Sequence, residues 1–204
     1  MVICYEVHDG LYLNLTNRCT NACSFCLRDQ NSFAYGHDLW LEREPEKEEV
    51  WAQIQKQEMG KYREIVFCGY GEPTMRLADL VWIAGKIKAH YDIPIRINTN
   101  GQANLLYQKD VTPMLAGLID TVSISLNASE AKKYDEICHS IFGEAAFEGL
   151  LDFASKCKAH VPHVVLSVVD VIGEKEIAAC RALADRLGVT LRVRAYIPEG
   201  QSEV

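Results

Sequence analysis

Leu11–Thr16, Glu64–Tyr70, Ile93–Asn98, Thr121–Asn127, His163–Val171 and Thr190–Ile197 are each rich in Val, Ile, Leu or Tyr and bounded by Gly, Pro, Asn or Asp, the pattern of short strands. Every gap between them is long and reads as helix. Pro45 at a first helical position opens Glu46–Met59, which Gly60 should stop. Arg76–Tyr91 and Gln108–Leu118 fill the next two gaps, and Ser129–Cys138 and Glu144–His160 share the fourth. Glu174–Leu187 runs to Gly188, a good helix stop. Tight turns join antiparallel neighbours, whereas crossovers this long and helical demand parallel pairing with a right-handed connection.

These elements predict an α/β fold in one domain, residues 1–204, with six parallel strands. Six strands do not close an eight-stranded barrel, so an open partial (β/α)6 TIM-like barrel is expected, with a flat doubly wound sheet as the alternative. Alternation within the strands adds a second constraint. Tyr12 and Asn14 oppose Leu11, Leu13 and Leu15; Arg96 and Asn98 oppose Ile95 and Ile97. Ser123, Ser125 and Asn127 oppose Val122, Ile124 and Leu126, and Arg192, Arg194 and Tyr196 oppose Leu191, Val193 and Ile197. One face is apolar, as packing under helices requires; the other is polar, as the lumen of a curled sheet or a solvated sheet face would be.

The loop after the first strand carries the chemistry. Cys19, Cys23 and Cys26 crowd into eight residues at the carboxyl edge of the sheet, where active sites of α/β folds collect. Eight cysteines spread over 204 residues do not make a disulfide framework, so three close thiols read as a soft-metal site. Zinc would need a fourth ligand, for which His37 is the nearest candidate; an iron–sulfur cluster with three protein ligands leaves one iron open.

Cys-x-x-x-Cys-x-x-Cys with an aromatic residue, Phe25, before the third cysteine resembles the signature of the radical S-adenosylmethionine (SAM) enzymes. The resemblance implies a [4Fe–4S] cluster on Cys19, Cys23 and Cys26, with SAM on the open iron. Gly69-Tyr70-Gly71-Glu72-Pro73 resembles the family's "GEP" turn, whose backbone cradles the SAM amino group. Asn98 and Asn100, in Asn98-Thr99-Asn100-Gly101, stand where the family places polar contacts to SAM. Ser123, Ser125 and Asn127 stand at its ribose and carboxylate position. Val169-x-Val171-x-Gly173-x-x-Glu176 resembles a divergent G-x-I-x-G-x-x-E adenine motif, with Val169 for its first glycine; Glu176 reads equally as an acid at a helix start. Tyr196-Ile197-Pro198 would meet the adenine edge through its backbone. What the family implies is reductive cleavage of SAM to a 5′-deoxyadenosyl radical, hydrogen abstraction from a substrate, and an external one-electron donor such as flavodoxin or ferredoxin.

Arg96, Arg192 and Arg194, with Tyr12 and Asn14, are the candidate substrate residues: guanidinium groups in a lumen suit an anionic small molecule or peptide. One of them would equally hold the SAM carboxylate, or pair with an acid such as Asp170. Gln30–Glu44, with Tyr35, Gly36, His37 and Trp40, reads as a lid, a partner surface or a plain loop anchored by tryptophan. Cys4, Cys68, Cys138, Cys157 and Cys180 read as scattered small fillers, with Cys68 sharing the parity of Tyr70.

Within the superfamily, Leu11–Pro45 and Arg96–Gly101 most resemble the TatD-associated radical SAM proteins. The short 7-carboxy-7-deazaguanine synthases and the glycyl-radical activating enzymes are the alternatives. An electron carrier that houses a cluster and a zinc-binding module are the non-enzymatic ones. A net charge of −7 and a pI near 5.4 exclude a general nucleic-acid surface. No apolar run has membrane-spanning length, and the first residues lack a secretory pattern, so a cytoplasmic location is expected.

Overall fold

The computed structural model describes residues 1–26, 28 and 36–196. Seven strands form one sheet in chain order: β1 Cys4–Val7, β2 Gly10–Leu13, β3 Glu64–Phe67, β4 Ile95–Thr99, β5 Thr121–Ser125, β6 His163–Val169 and β7 Thr190–Arg194. From β2 to β7 every neighbouring pair is parallel, and β1 and β7 are the two open edges. The open α/β sheet is as expected, with one addition. β1 pairs antiparallel with β2 from Cys4↔Leu13 to Val7↔Gly10. The missed signal is Asp9-Gly10, a hairpin turn in which His8 takes a positive φ of 51°.

Among the described residues, the α-helices of a full turn or more are α1 Lys47–Ile54, α2 Leu77–His90, α3 Ala103–Tyr107, α4 Ala131–Cys138, α5 Ala145–Cys157 and α6 Glu174–Leu187. α6 matches expectation, ending on Gly188 at φ 66°. α1 is shorter than Glu46–Met59, and its N-cap is Glu46, so Pro45 precedes the helix instead of opening it. Gln108–Leu118 is not a helix. Gln108 adopts a left-handed φ of 52° and ends α3, while Asp110 accepts hydrogen bonds from the Thr112 amide (3.0 Å) and hydroxyl (2.8 Å), leaving only a 3-10 turn over Thr112–Leu115. Except for β4, which runs on to Thr99, the strands end before the carboxyl ends of their expected segments, where the chain leaves the sheet to build loops.

One face of the sheet is dry. Leu11, Leu13, Ile65, Phe67, Ile95, Ile97, Val122, Ile124, Leu166 and Val168 pack under α1, α2, α5 and α6 through Val50, Ile54, Leu80, Ile83, Phe147, Leu150, Phe153 and Leu183. At β7 this shielding fails, and Val193 is exposed. The register puts Tyr5, Tyr12, Val66, Arg96 and Thr121 in one row on the other face, then Asn98, Ser123 and Val165, then Ser125, Ser167 and Arg192. This second face carries the polar side chains that sequence parity assigned to it.

Candidate functional site

The cysteine loop leaves the carboxyl end of β2 and is pinned on three sides. On the first, the Glu72 amide donates to the Arg18 carbonyl (2.8 Å). A Cβ on Gly71 would lie 2.2 Å from the Thr16 carbonyl oxygen and 2.6 Å from that of Arg18, so only glycine lets the two loops meet. On the second, the Ala22 amide donates to the Cys138 carbonyl (3.0 Å) and the Ser24 amide to that of Ile137 (2.9 Å), docking the loop on the last turn of α4. On the third, the Thr20 carbonyl accepts from the Ile141 amide (2.9 Å).

Beneath the loop lies a buried polar lattice. The Glu72 carboxylate accepts from the Thr74 amide (3.0 Å), the Thr74 hydroxyl (2.6 Å), the Thr99 hydroxyl (2.7 Å) and the Asn100 amide (2.7 Å). Burial pushes its pKa up, against the pull of those donors. Asn100 Nδ2 donates to the Thr20 hydroxyl (2.7 Å) and reaches the Cys19 sulfur at 3.9 Å. Gln102 Nε2 donates to Asn21 Oδ1 (2.8 Å) and to the Tyr134 hydroxyl (2.9 Å), which also accepts from Asn21 Nδ2 (3.1 Å). The motifs point to Glu72 and Asn100 but give Thr99, Gln102, Asn21 and Tyr134 no such role. The signal for Tyr134 was available only as a phenol on the buried stripe of a short helix.

The three motif thiols are half-buried, and none of the eight cysteines is in a disulfide. Burial, then the nearby Glu72 carboxylate, pushes the Cys19 thiol up to about 12, and its sulfur accepts from the Asn21 amide at 3.4 Å. Cys23 donates to Cys138, which with burial holds its pKa up. Phe25 is half-buried in the turn between Cys23 and Cys26, and Pro73 opens the 3-10 turn that follows Glu72. Thiols on one loop, with amide donors aimed at a sulfur and an amide lattice behind, suit an iron–sulfur cluster. His37 lies elsewhere, 6.0 Å from the Tyr5 ring, and among the described residues no three His, Cys, Asp or Glu groups converge on a single-ion site.

Other expected residues divide. Asn14 is wholly buried: its Nδ2 donates to the Leu39 (2.7 Å) and Val2 (3.2 Å) carbonyls, so it holds two loops and does not face a lumen. Gly69 is needed beside it, because a Cβ there would meet Asn14 Oδ1 at 2.1 Å. Tyr12 accepts from Arg96 (3.2 Å), and Arg96 donates to both Glu64 oxygens (2.6 and 3.0 Å) and to Asn98 Oδ1 (2.7 Å). Arg96 is therefore neutralised by Glu64, not Asp170, whose carboxylate accepts from the Tyr196 amide (2.9 Å). Arg192 and Arg194 are exposed on β7, three strand spacings from β4, on the order of 14 Å. The expected convergence of three arginines is not found.

Ser123 and Asn127 are buried and Ser125 is half-buried on the β5 end. Asn127 has a left-handed φ of 56°, with Nδ2 3.5 Å from the Cys138 sulfur. Its Oδ1 and that of Asn14 are buried with no partner among the described residues. Gly173 lines a cavity of about 470 Å³ with Lys133, Ile137, Ile172, Glu174, Lys175 and Glu176, and Val171 is exposed beside it. Glu176 closes one wall, accepting from the Ser129 amide (2.7 Å) and Lys133 (2.9 Å). In the long loop Trp40 is 53% exposed, so the anchors are instead Leu39 and Leu41, both 2% exposed. Leu27, Asp29, Tyr35, Ile197 and Pro198 lie outside the described residues.

An open parallel sheet with a three-thiol loop at its carboxyl edge and a polar lattice joining the first strand ends defines a partial-barrel enzyme scaffold for a metal cluster. Residues 13–183 match the Radical SAM superfamily, and the chain belongs to it. Its members are enzymes that use a [4Fe–4S] cluster and S-adenosylmethionine. The chain is 26% identical over 172 residues to a GTP 3′,8-cyclase of Lactiplantibacillus plantarum, covering 84% of this chain and 48% of that protein. It is 30% identical over 141 residues to a probable GTP 3′,8-cyclase of Thermococcus kodakarensis, covering 69% and 42%. It thus spans less than half the length of these curated relatives. Streptococcus suis SuiB bound to the precursor peptide SuiA has the same fold at a TM-score of 0.69, with 19% identity over 92% of this chain and 39% of SuiB. No described helix is long and apolar enough to cross a membrane.

Proposed function

We propose that residues 1–204 form one radical SAM domain in which Cys19, Cys23 and Cys26 hold the [4Fe–4S] cluster, and that SAM lies along the strand ends from β3 to β6. When bound and reduced, the cluster supplies the electron that cleaves SAM to methionine and a 5′-deoxyadenosyl radical. The observation that carries this reading is the clasp between the cysteine loop and the Gly71-Glu72-Pro73 turn, closed by the Glu72 amide on Arg18. It fixes three thiols against the strand ends that offer ligand contacts. A zinc module or electron carrier has no need of that second turn.

In this reading the chain's groups divide the work. Glu72 holds its own turn to Asn100, leaving the turn's backbone to meet a ligand amino group. Asn100 and Asn21 orient Cys19. Asn127 Oδ1, an acceptor buried at a cost of about 1–3 kcal/mol while unpaired, suits a ribose hydroxyl. Ser123, Ser125 and Asn98 offer further polar contacts, and the cavity beside Gly173 and Val171 suits the adenine, with Tyr196 near its edge. Arg192 and Arg194 would meet an anionic substrate; Arg96, already paired, positions Tyr12. The similar proteins are GTP cyclases and a protein bound to a precursor peptide, so the substrate class in this reading is a nucleotide or a peptide. The segments Leu11–Pro45 and Arg96–Gly101 favour the TatD-associated type, with a flavodoxin or ferredoxin donor in a reducing compartment.

The test is anaerobic reconstitution with iron and sulfide analysis, followed by electron paramagnetic resonance of the reduced protein with and without SAM. About four irons per chain and a signal that shifts with SAM are expected. Bound zinc, or a cluster signal indifferent to SAM, would refute the reading.

A further inference from the structure

One motif cysteine is engaged with a cysteine that the motif does not contain. The bonds from Ala22 to Cys138 and from Ser24 to Ile137 bracket Cys23 against the end of α4. Between them the Cys23 thiol donates to the Cys138 sulfur. Cys138 is fully buried, and that sulfur also receives Asn127 Nδ2 at 3.5 Å and sits against the Tyr134 hydroxyl, itself fixed by Asn21 and Gln102. Those two backbone bonds hold the main chains of Cys23 and Cys138 side by side, the arrangement from which two cysteine side chains can reach one another.

We propose that Cys23 and Cys138 form a reversible disulfide in the cluster-free chain, a modification site that removes Cys23 from the ligand set until it is reduced. The inference rests on Cys19, Cys23 and Cys26 being the cluster ligands. The oxidant is a low-molecular-weight disulfide such as oxidised glutathione. Cys23 is the half-buried, reachable member of the pair: when its thiol gives up its proton, the sulfur attacks one glutathione sulfur and releases glutathione thiolate, leaving a mixed disulfide. The Cys138 thiolate then attacks the Cys23 sulfur and expels the second glutathione thiolate. Two protein thiols are oxidised, one glutathione disulfide is reduced, and the two protein protons end on the two released glutathione thiolates. A dithiol reverses the sequence. The buried bond shields Cys23 from further oxidation, which proceeds irreversibly at an open thiolate.

The full chain, freed of iron with a chelator, is incubated anaerobically with oxidised glutathione, quenched by alkylation and mapped by mass spectrometry without reduction. The expected product is a peptide pair joined through Cys23 and Cys138. The oxidised protein should then take up less than a tenth of its iron until dithiothreitol is added. Cys138→Ser should carry glutathione on Cys23 instead and, before oxidation, reconstitute a full cluster. A dominant bond between Cys19 and Cys26, or no Cys23–Cys138 pair in the wild-type map, would overturn the proposal; the wild-type map needs no variant to fold. Loss of iron from unoxidised Cys138→Ser that still folds by circular dichroism would overturn it by making Cys138 a ligand. Failure of the ligand reading shows separately, as Cys23→Ala that reconstitutes like wild type.

Discussion

Removing the Glu72 carboxylate should cost far more stability than removing an ordinary loop acid. Glu72→Ala deletes the acceptor of four donors, each within 3.0 Å. The Thr74 and Thr99 hydroxyls can rotate to other acceptors, and Thr99 also receives the Gly101 amide. The Thr74 and Asn100 amides cannot move, and both lie on buried residues. Two orphaned buried amides at about 1–3 kcal/mol each give a loss of about 2–6 kcal/mol, a large share of the 5–15 kcal/mol of a typical domain. Glu72→Gln keeps one oxygen but turns an NH2 group toward a donor, so about 1–3 kcal/mol is expected. Urea unfolding of the cluster-free protein reads this as a lower midpoint at unchanged slope. If Glu72→Ala unfolds within about 0.5 kcal/mol of wild type, the turn is not held by this carboxylate and the clasp argument fails.

Gly71→Ala places a methyl group against two backbone carbonyls that cannot yield, so it should cost about 1–3 kcal/mol and lower iron uptake; calorimetry and iron analysis check both. Arg96→Leu strands the Glu64 carboxylate beside Tyr12 and should lower stability by about 1–3 kcal/mol, whereas the double variant with Glu64→Gln should recover part of the loss in a denaturation cycle. Burial alone would raise the Glu176 pKa, but Lys133 and Ser129 hold it below its usual 4.5. That stabilisation is present above pH 4.5 and is lost as pH falls below it through the folded value. Glu176→Gln should therefore be less stable by about 0.5 kcal/mol at pH 7, screened by the half-exposed Lys133, and match wild type in acid, as thermal melts across pH would show.

The architecture was legible because two periodicities agreed: strand segments alternated with helices long enough to force parallel pairing. Leu11, Ile65, Ile95, Val122 and Leu166 fell on the core face as alternation requires. β1 escaped because four residues ending in a turn carry little periodicity, although Asp9-Gly10 marked the hairpin. The false helix over Gln108–Leu118 shows local side-chain capping by Asp110 overriding apolar content.

At the candidate site, Cys19, Cys23 and Cys26 stand out by their spacing and their place after the first strand, and Gly71 and Glu72 by the resemblance to the family's turn. The partners were not. Glu72 meets Thr99 and Asn100 across 27 and 28 residues of sequence, and Asn21 meets Tyr134 across 113; no local pattern encodes such pairs. Parity puts Asn14 and Arg96 on the polar face but does not show that the Leu39 carbonyl takes the Asn14 amide group and Glu64 the Arg96 guanidinium.

The central claim is that three loop thiols and the strand ends behind them form a SAM-cleaving centre. Chain reconstituted without oxygen, reduced with dithionite and supplied with SAM should release methionine and 5′-deoxyadenosine in equal amounts. Cys19→Ala, Cys23→Ala and Cys26→Ala should release neither. Full cluster with no 5′-deoxyadenosine from the wild-type chain, or cleavage that survives any one of the three substitutions, would contradict the account.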